Sequence, residues 1–313
     1  MIDKKDRAIL YNLDSNSRMS AMQIAKKTGL RKETVSFRMR KLGYIKKYFV
    51  LCDSTMLDYT NYKLYIKFKN MNKVLLRKFH NYMLSLPELS WLAFCSGRFD
   101  CAAAFWSKNP QDFNDIVFSL LSKFSRQIES KEVVANARWF VCNRKYLVDN
   151  YKPTIVEFGN NKNGIKLDDI DAKIINILNK NARTRILDIA HTAKVSSPVV
   201  IQRIKRMQNL GYIKLFTYDL DLEKANMEFA KVLVTLQDVT LETADKLLQY
   251  CKKHPNVRSI IHTVGHWDLE LELEVKNFRQ LSDIIYDMRS SFPIIRNTET
   301  LMFSAQHAKS FVQ

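Results

Sequence analysis

The sequence predicts an α+β protein in which one module, three short helices followed by a βαββαβ unit, occurs twice. Two observations predict the duplication: the pentapeptide LGYIK stands at Leu42–Lys46 and again at Leu210–Lys214, and similar helical and strand-like apolar patterns surround both copies. A third observation separates the copies. Tyr151–Lys166 carries one Pro, two Gly and three Asn with little periodicity, as is typical of a linker.

The order and spacing of further matches exclude chance. Ile9 corresponds to Ile174 at an offset of 165 residues, and GRFD at Gly97–Asp100 corresponds to GHWD at Gly265–Asp268 at an offset of 168. The first copy (copy 1) therefore lacks three residues relative to the second (copy 2), just before Gly43.

Each copy is expected to begin with three helices. Asp3 and Asp168 are suitable N-caps, because a carboxylate can accept the free amides of a first turn, and apolar residues follow at helical spacing. Ser20 is the expected cap of a second helix, and a third helix carries an apolar stripe between Val35 and Leu42. Two helices joined by a short turn, the second with a basic outer face, predict a helix-turn-helix.

Segments that favour β-structure follow the third helix at Tyr44–Leu51 and Tyr212–Leu220. We expect each to open a hairpin, the wing of a winged helix-turn-helix, so that LGYIK marks the end of the recognition helix and the start of the wing. The three residues missing before Gly43 amount to about one helical turn, which leaves the geometry of the copy 1 wing open.

The remainder of each copy alternates strand and helix. Asp268–Val275 (DLELELEV) alternates strictly between apolar and acidic residues, so one of its faces is expected to be solvated or paired. The order strand, helix, strand, strand, helix, strand is that of a ferredoxin-like unit, and copy 1 gives the same order from Tyr62 to Val141. The strands expected in copy 2 are Phe229–Leu236, Val257–Val264, Asp268–Val275 and Ile294–Phe303, and the helices are Glu242–Lys253 and Phe278–Met288.

These elements divide the chain into five segments. Residues 1–52 and 167–222 are predicted as winged helix-turn-helix domains, residues 53–148 and 223–313 as ferredoxin-like domains, and residues 149–166 as the linker. We expect the two ferredoxin-like units to pair within the chain as a pseudo-dimer, because closed sheets hide strand edges that would otherwise pair with other chains. Further association of such chains stays open.

Composition narrows the function classes. The 313 residues are 46% hydrophobic, enough for packed cores, and no apolar run approaches the ~18 residues of a membrane span. Five Cys form no CxxC pair, which argues against a disulfide framework or a zinc ribbon and indicates a cytoplasmic protein. The net charge of +18 predicts a polyanionic partner, most often nucleic acid.

The positive charge is concentrated in the helical segments. Residues 1–47 carry 13 Lys and Arg against four Asp and Glu, a net +9, and residues 166–214 carry ten against four, a net +6. Residues 215–313 have a net charge of −3. Because Lys and Arg neutralise DNA phosphates, the two helix-turn-helix segments are the expected DNA-binding surfaces. The ferredoxin-like unit of copy 1 is also basic, which DNA binding alone does not explain.

The ordered motifs resemble one known family. Copy 1 has D-x-x-D-x-x-I-L-x-x-L-x-x-N-x-R, then I-A in helix two, T-V-x-x-R in helix three, G-x-I after it and G-x-x-D in the βαββαβ unit, and copy 2 repeats the set with small changes. This set resembles the Lrp/AsnC (leucine-responsive) family of transcription regulators, in the tandem form found among archaea. The resemblance covers nearly the whole chain. It implies a regulator that binds double-stranded DNA and is not an enzyme, with assembly through the ferredoxin-like (RAM) domain and with no catalytic residue, cofactor or metal.

The recognition helix of copy 1 places five residues off its apolar stripe, namely Arg31, Lys32, Ser36, Phe37 and Arg40. Arg31 and Lys32 lie at the N-terminal end, which usually enters the major groove. Arg can pair with guanine, and Ser with either base type. Phe37 would either meet a thymine methyl or pack against the wing. Arg31 stands where the family usually has a capping Ser, so copy 1 loses a cap and gains a charge.

The recognition helix of copy 2 is less basic. Ser196 and Ser197, followed by a proline, form a good helix start, with Ser as cap and Pro in the first turn. Ile201, Gln202 and Lys205 are its outward residues.

Further basic residues complete the predicted DNA-binding set. Arg38 and Arg203 share the Arg position of T-V-x-x-R, where a phosphate contact and a helix-to-helix ion pair are both open. Lys46, Lys47 and Lys214 follow the recognition helices, in the predicted wings.

The resemblance implies an amino-acid effector near the G-x-x-D turns, although the residue types favour a structural role. Gly permits a tight turn, and Asp can satisfy loop amides. The residues concerned are Ser96, Gly97 and Asp100 in copy 1 and Val264, Gly265 and Asp268 in copy 2.

Two alternatives to a sequence-specific regulator remain. Siroheme decarboxylases resemble the same family and would need His or Arg for a tetrapyrrole carrying several carboxylates. The chain has six His, and His262 and His266 flank the turn at Gly265 instead of sharing a helical face. No Ser–His–Asp order, Gly-rich phosphate loop or paired-carboxylate site appears. The other alternative is an architectural protein that binds DNA without sequence preference.

Overall fold

A computed structural model of the chain describes residues 2–159 and 164–308. Copy 1 consists of α1 (Lys4–Ser15), α2 (Ala21–Thr28), α3 (Lys32–Lys41), β1 (Ile45–Cys52), β2 (Thr60–Phe68), α4 (Lys73–Ser85), β3 (Leu89–Ser96), β4 (Cys101–Ser107), α5 (Pro110–Phe124) and β5 (Ile128–Cys142), followed by β6 (Ile155–Phe158). Copy 2 consists of α6 (Asp169–Lys180), α7 (Ile186–Ala193), α8 (Ser197–Asn209), β7 (Ile213–Leu220), β8 (Glu228–Leu236), α9 (Leu241–Lys253), β9 (Val257–Val264), β10 (Leu269–Val275), α10 (Phe278–Ser291) and β11 (Ile295–Ala308).

The first helices begin at the predicted caps. The carboxylate of Asp3 accepts the amide of Asp6 at 2.8 Å, and that of Asp168 accepts the amide of Asp171 at 2.9 Å. Ser20 forms a capping box at the start of α2. The recognition helix α3 has 10 residues and its equivalent α8 has 13, so the three residues missing from copy 1 correspond to the last turn of that helix.

The two βαββαβ units form one closed antiparallel sheet. Its strand order is β2-β4-β3-β11-β8-β10-β9-β5, and β5 returns to β2. Each long last strand joins the copies: β5 pairs with β2 of its own copy and then with β9, and β11 pairs with β8 and then with β3. The ring leaves no open edge among these eight strands, which removes the site where another chain would add a strand.

Three apolar layers hold this ring together. The interior, between the two half-sheets, is filled by Tyr65, Phe99, Leu233 and Trp267. Outside it, the helix pair α4 and α5 packs on the copy 1 strands, and α9 and α10 pack on the copy 2 strands. The result is a helix–sheet–sheet–helix arrangement with the helix-turn-helix modules attached to it.

The expectation that β1 and β7 each open a hairpin of their own copy is wrong. The two strands pair with each other, antiparallel, as a two-stranded ribbon. After β1 the chain enters a short 3₁₀ turn at Ser54–Leu57 instead of a hairpin turn. Crossing over also completes the cores, because Val50 of β1 is buried in the helical core of copy 2, and Tyr218 and Leu220 of β7 are buried in that of copy 1.

In residues 149–159 and 164–166, the described part of the predicted linker, there is one regular element. This element, β6, pairs with Trp139–Cys142, the end of β5, beyond the point where β2 stops. Phe158 stacks on Trp139 with ring centroids 4.5 Å apart, and this contact helps to fix the strand there. Within the described residues, no helix has the length and apolar character needed to cross a membrane.

Candidate nucleic-acid interface

Both recognition helices are fixed by one buried stripe. In α3, Val35 is fully buried with Ile24 of α2 and Leu10 of α1. In α8, Val200 and Met207 are buried in the same way. Burying one stripe orients the opposite face of each helix outwards, which is the geometry that groove insertion needs.

The outer face of α3 presents the residues predicted for copy 1. Arg31, Lys32 and Arg40 are exposed, and Arg31 occupies the N-cap without a side-chain cap bond. Phe37 is 51% exposed, with the Lys41 ammonium 4.5 Å from its ring centre. The alternative in which Phe37 packs on a wing is therefore excluded, since that wing hairpin does not form. Ser36 is half-buried.

The outer face of α8 is neutral over much of its length. Ile201 is 53% exposed, and Gln202 and Lys205 are exposed beside it. The expectation that the Ser196 side chain caps α8 is wrong, because Ser196 stands at the N-cap with no side-chain cap bond. The second helical residue is Pro198, which has no amide to donate, so one of the two usual partners of a capping side chain is missing.

Arg38 and Arg203 form helix-to-helix ion pairs, which is one of the two roles left open. The Arg38 guanidinium lies 2.5 Å from Asp3 and 2.9 Å from Asp6. Arg203 makes the equivalent contacts at 2.5 Å to Asp168 and 3.3 Å to the second carboxylate of its own cap. These arginines tie each recognition helix to the N-terminus of the first helix of its module.

The charges at the helix caps are mutually stabilised. The amide of Asp6 and the Arg38 guanidinium hold the pKa of Asp3 below its usual value. In copy 2 the amide of Asp171 and the Arg203 guanidinium lower the pKa of Asp168 in the same way, against a smaller opposing effect of burial. Both carboxylates are therefore charged at neutral pH and keep their arginines in place.

The lysines predicted for the wings lie on the ribbon instead. Lys46 and Lys47 are exposed at the start of β1, and Lys46 lies 4.0 Å from Asp221. Lys214 is mostly buried, and its ammonium lies 3.7 Å from Asp53. Of the three, Lys46 and Lys47 are the better placed for a phosphate.

A pseudo-two-fold axis relates the two helix-turn-helix modules. In the ribbon, Phe49 faces Thr217, and these residues are equivalent in the repeat because they lie 168 positions apart. An antiparallel ribbon in which equivalent residues face each other has local two-fold symmetry at that point. The amide of Ser17 donates to Phe216 at 2.8 Å, and the equivalent amide of Ala182 donates to Tyr48 at 3.0 Å.

Reciprocal arginines strengthen this symmetric contact. Arg18 donates to the carbonyl of Ala182 at 2.5 Å, and its equivalent Arg183 donates to the carbonyls of Ser17 and Met19, the latter at 3.1 Å. Each arginine thus holds the α1–α2 or α6–α7 loop of the other module. The sequence contains the signal, the Arg of N-x-R in both copies, but it shows no local partner from which this role could be predicted.

A buried ionic network anchors the copy 1 helix-turn-helix to the ring. Asp14 of α1 accepts from Arg144 at 2.7 Å and Arg258 at 3.1 Å, and Glu274 of β10 accepts from Arg144 at 2.9 Å. Burial alone would raise the pKa of Asp14, but Arg258 and Arg144 lower it. All four equivalent positions are neutral in the sequence, with Asn179 for Asp14, Ser90 for Arg258, Trp106 for Glu274 and an apolar residue at 311–312 for Arg144. Sequence reasoning missed this network, because its members lie far apart in the chain.

The G-x-x-D turns are built into the contact between the copies. At Gly97 an added Cβ would lie 2.5 Å from the carbonyl oxygen of Thr300, and at Gly265 it would lie 2.7 Å from Val134. Asp100 accepts the amide of Phe68 at 2.8 Å, and Asp268 accepts the equivalent amide of Leu236 at 2.7 Å. Ser96 and Val264 are exposed at the ends of their strands. These contacts account for the Gly and the Asp without a ligand.

The sequence comparisons with known proteins agree with one another. The model of the AsnC-type helix-turn-helix domain matches residues 2–42 and 167–208. The transcriptional regulator LysM of Sulfurisphaera tokodaii is 31% identical over 136 residues, which cover 44% of this chain and 94% of LysM. The regulator FL11 of Pyrococcus furiosus is 29% identical over 146 residues, which cover 46% of this chain and 93% of FL11. Each match has the length of one copy.

Among solved structures, the siroheme decarboxylase NirDL resembles the whole chain. The TM-score is 0.62 at 13% sequence identity, covering 99% of this chain and 94% of NirDL. At this identity the likeness concerns the fold, in which two helix-turn-helix modules and two ferredoxin-like units share one polypeptide.

Proposed function

This chain belongs to the Lrp/AsnC family of DNA-binding transcription regulators, and we propose that it recognises specific double-stranded DNA with two unlike helices, α3 and α8. Support comes from the pseudo-two-fold axis through Phe49 and Thr217. Such an axis gives a single chain the arrangement by which a symmetric dimer presents two recognition helices to one face of DNA.

The proposal requires an asymmetric operator. The exposed residues of α3 include Arg31, Lys32 and Phe37, whereas α8 exposes Ile201 and Gln202. Arg reads guanine, and Gln pairs with adenine, so the two helices cannot prefer the same half-site. We expect two unlike half-sites whose centres lie about 10 bp, or a multiple of that, apart.

Selection of bound sequences from a random DNA pool tests the proposal. The expected result is one motif with two different halves at fixed spacing. A perfect palindrome would contradict it, since two chains would then have to present identical helices. Enrichment of no motif would favour the architectural alternative.

An amino-acid effector forms a second, separable part of the proposal and rests on the family. An open cleft of about 480 Å³, lined by Phe68, Met71, Leu76, Phe94 and Asp100 among others, lies beside the G-x-x-D turn of copy 1. Titration of each of the twenty amino acids against DNA affinity tests this part. If none of the twenty amino acids changed the DNA affinity, the effector proposal would be contradicted and the DNA-recognition proposal would be unaffected.

The likeness to NirDL motivates one further measurement. A protein that holds a tetrapyrrole shows a Soret band. We expect the purified chain to lack this band and to gain none when siroheme is added, because the family membership supports regulation. A Soret band together with the absence of any selected DNA motif would contradict the regulator and favour the enzyme alternative.

A further inference from the structure

The interior of the closed ring contains a second buried ionic cluster, far from the recognition helices. Glu270 of β10 is fully buried and accepts from the ammonium groups of Lys231, at 2.9 Å, and of Lys63. Its other oxygen accepts from Tyr65 at 2.7 Å and from the indole of Trp267 at 3.2 Å. Every hydrogen-bonding position of this carboxylate is thus directed at a partner within the ring.

The two lysines are equivalents in the repeat, but the carboxylate has no equivalent. Lys63 and Lys231 lie 168 positions apart, one on β2 and one on β8. The position equivalent to Glu270 is Ala102. Glu272, which lies 3.3 Å from Lys231, is likewise replaced by an alanine in copy 1. Copy 1 therefore contributes one cation and no anion, and copy 2 contributes one cation and two anions.

The charges are stable only as a set. Burial would raise the pKa of Glu270, but Lys231 and Lys63 lower it to about 2. Burial lowers the pKa of Lys63 to about 8 despite the nearby Glu270, so this ammonium depends closely on its carboxylate. A buried charge that loses its partner is strongly destabilising.

We propose that this cluster is a pairing determinant, through which the inner sheet face of each copy fits the other copy and rejects a second copy of itself. Two copy 1 faces would bury two Lys63 ammonium groups against Ala102, with no carboxylate. Two copy 2 faces would bury four carboxylates with two ammonium groups. Buried polar groups are known to select among alternative pairings in this way, at a cost in stability. The partner that fits copy 1 is thus a copy with acidic residues at two adjacent inward positions.

The test uses the full chain with a protease site placed in segment 160–163, between β6 and α6. The folded protein is cut, unfolded in denaturant and refolded, and native mass spectrometry counts the pairs formed. We expect mixed pairs of one copy 1 fragment with one copy 2 fragment. The proposal would be overturned if pairs of two copy 1 fragments formed in the proportion expected from random assortment of the fragments.

A neutral variant separates pairing from stability. Lys63→Met, Lys231→Met, Glu270→Gln and Glu272→Gln together remove the charges, while the amide oxygen of the glutamine at position 270 still accepts from Tyr65 and Trp267. Replacing a buried ion set by apolar groups of similar volume is often neutral or stabilising. We expect an unchanged or higher unfolding midpoint in the uncut chain, and copy 1 pairs approaching random assortment after cutting. Exclusively mixed pairs in this variant would show that the cluster does not select the partner.

A relocation variant of the uncut chain supplies a readout that does not depend on refolding of fragments. Glu270→Gln alone should lower the unfolding midpoint, because two buried ammonium groups lose their shared carboxylate. Adding Ala102→Glu should restore part of the loss, because position 102 is the pseudo-symmetric equivalent of position 270 and lies in the interior of the ring. Failure of Ala102→Glu to raise the midpoint above that of Glu270→Gln would contradict the shared-carboxylate model.

Discussion

At the scale of single residues, the two copies use the same chemistry for structure and different chemistry for recognition. Arg38 and Arg203 make matching ion pairs to their helix caps, and Arg18 and Arg183 make matching contacts across the pseudo-two-fold axis. Residues that orient the recognition helices are thus kept in both copies, whereas the outward residues of the helices differ. This separation is the basis for expecting that copy 1 dominates DNA affinity.

The double variant Arg31→Ala with Lys32→Ala should weaken DNA binding more than Gln202→Ala with Lys205→Ala. The first removes two cations from the N-terminal end of α3, and the second removes one from α8. Each lost phosphate contact lowers the salt dependence of binding by about one ion. Fluorescence anisotropy on one selected operator at several salt concentrations measures both effects. Equal losses, or a greater loss in the α8 variant, would contradict a leading role of copy 1.

Asp268→Ala should reduce the free energy of unfolding by about 1 kcal/mol, because the amide of Leu236 loses a charged acceptor. Asp100→Ala, in the equivalent turn, also removes an ion pair to Lys67 at 2.9 Å and should lower the free energy of unfolding at least as much. The response of DNA binding to any amino acid found by titration should persist in Asp268→Ala, because Asp268 does not line the copy 1 cleft. Thermal unfolding and the repeated titration measure the two properties. A response abolished at unchanged stability would show that the turn binds the effector.

At the scale of elements, local sequence patterns predicted most helices and strands, but they did not predict which strands pair with each other. The periodicity of apolar residues and the caps at Asp3, Ser20 and Asp168 predicted the helices, because both signals are local. The partner of β1 lies in β7, about half the chain away. A strand pattern shows which face is buried but not which strand lies alongside, so a local hairpin was the natural and incorrect expectation.

The pairing of β1 with β7 leads to a stability prediction that a hairpin within one copy would not give. Val50 belongs to copy 1 in sequence but is buried in the helical core of copy 2. Val50→Ala should therefore increase hydrogen exchange in α6–α8 more than in α1–α3, since local protection follows local packing. Hydrogen exchange with mass spectrometry resolves the two modules. Val35→Ala, whose side chain lies in the copy 1 core, is the matched control with the opposite pattern.

At the scale of the whole molecule, one chain has approximate two-fold symmetry in its backbone and departs from it in its buried charges. The network of Asp14, Arg144, Arg258 and Glu274 links α1 to the ring on one side, and neutral residues take all four equivalent positions. The copy 1 helix-turn-helix is thus attached through ionic bonds that copy 2 does not repeat at those positions. The two helix-turn-helix modules therefore differ both in the outward residues of their recognition helices and in their attachment to the ring.

Asp14→Asn tests this attachment by giving copy 1 the residue that copy 2 has at position 179. Two buried arginines would keep only Glu274 as a carboxylate partner, and loss of one member of a buried ion set costs about 3–5 kcal/mol. We expect a lower denaturation midpoint, with hydrogen exchange rising in α1–α3 before it rises in the ring. Asp6→Asn is the control, because Arg38 keeps its ion pair with Asp3 and loses only a partly exposed second pair, for which about 1 kcal/mol is expected. If Asp14→Asn destabilised the protein no more than Asp6→Asn, the network would not be what holds the copy 1 module to the ring.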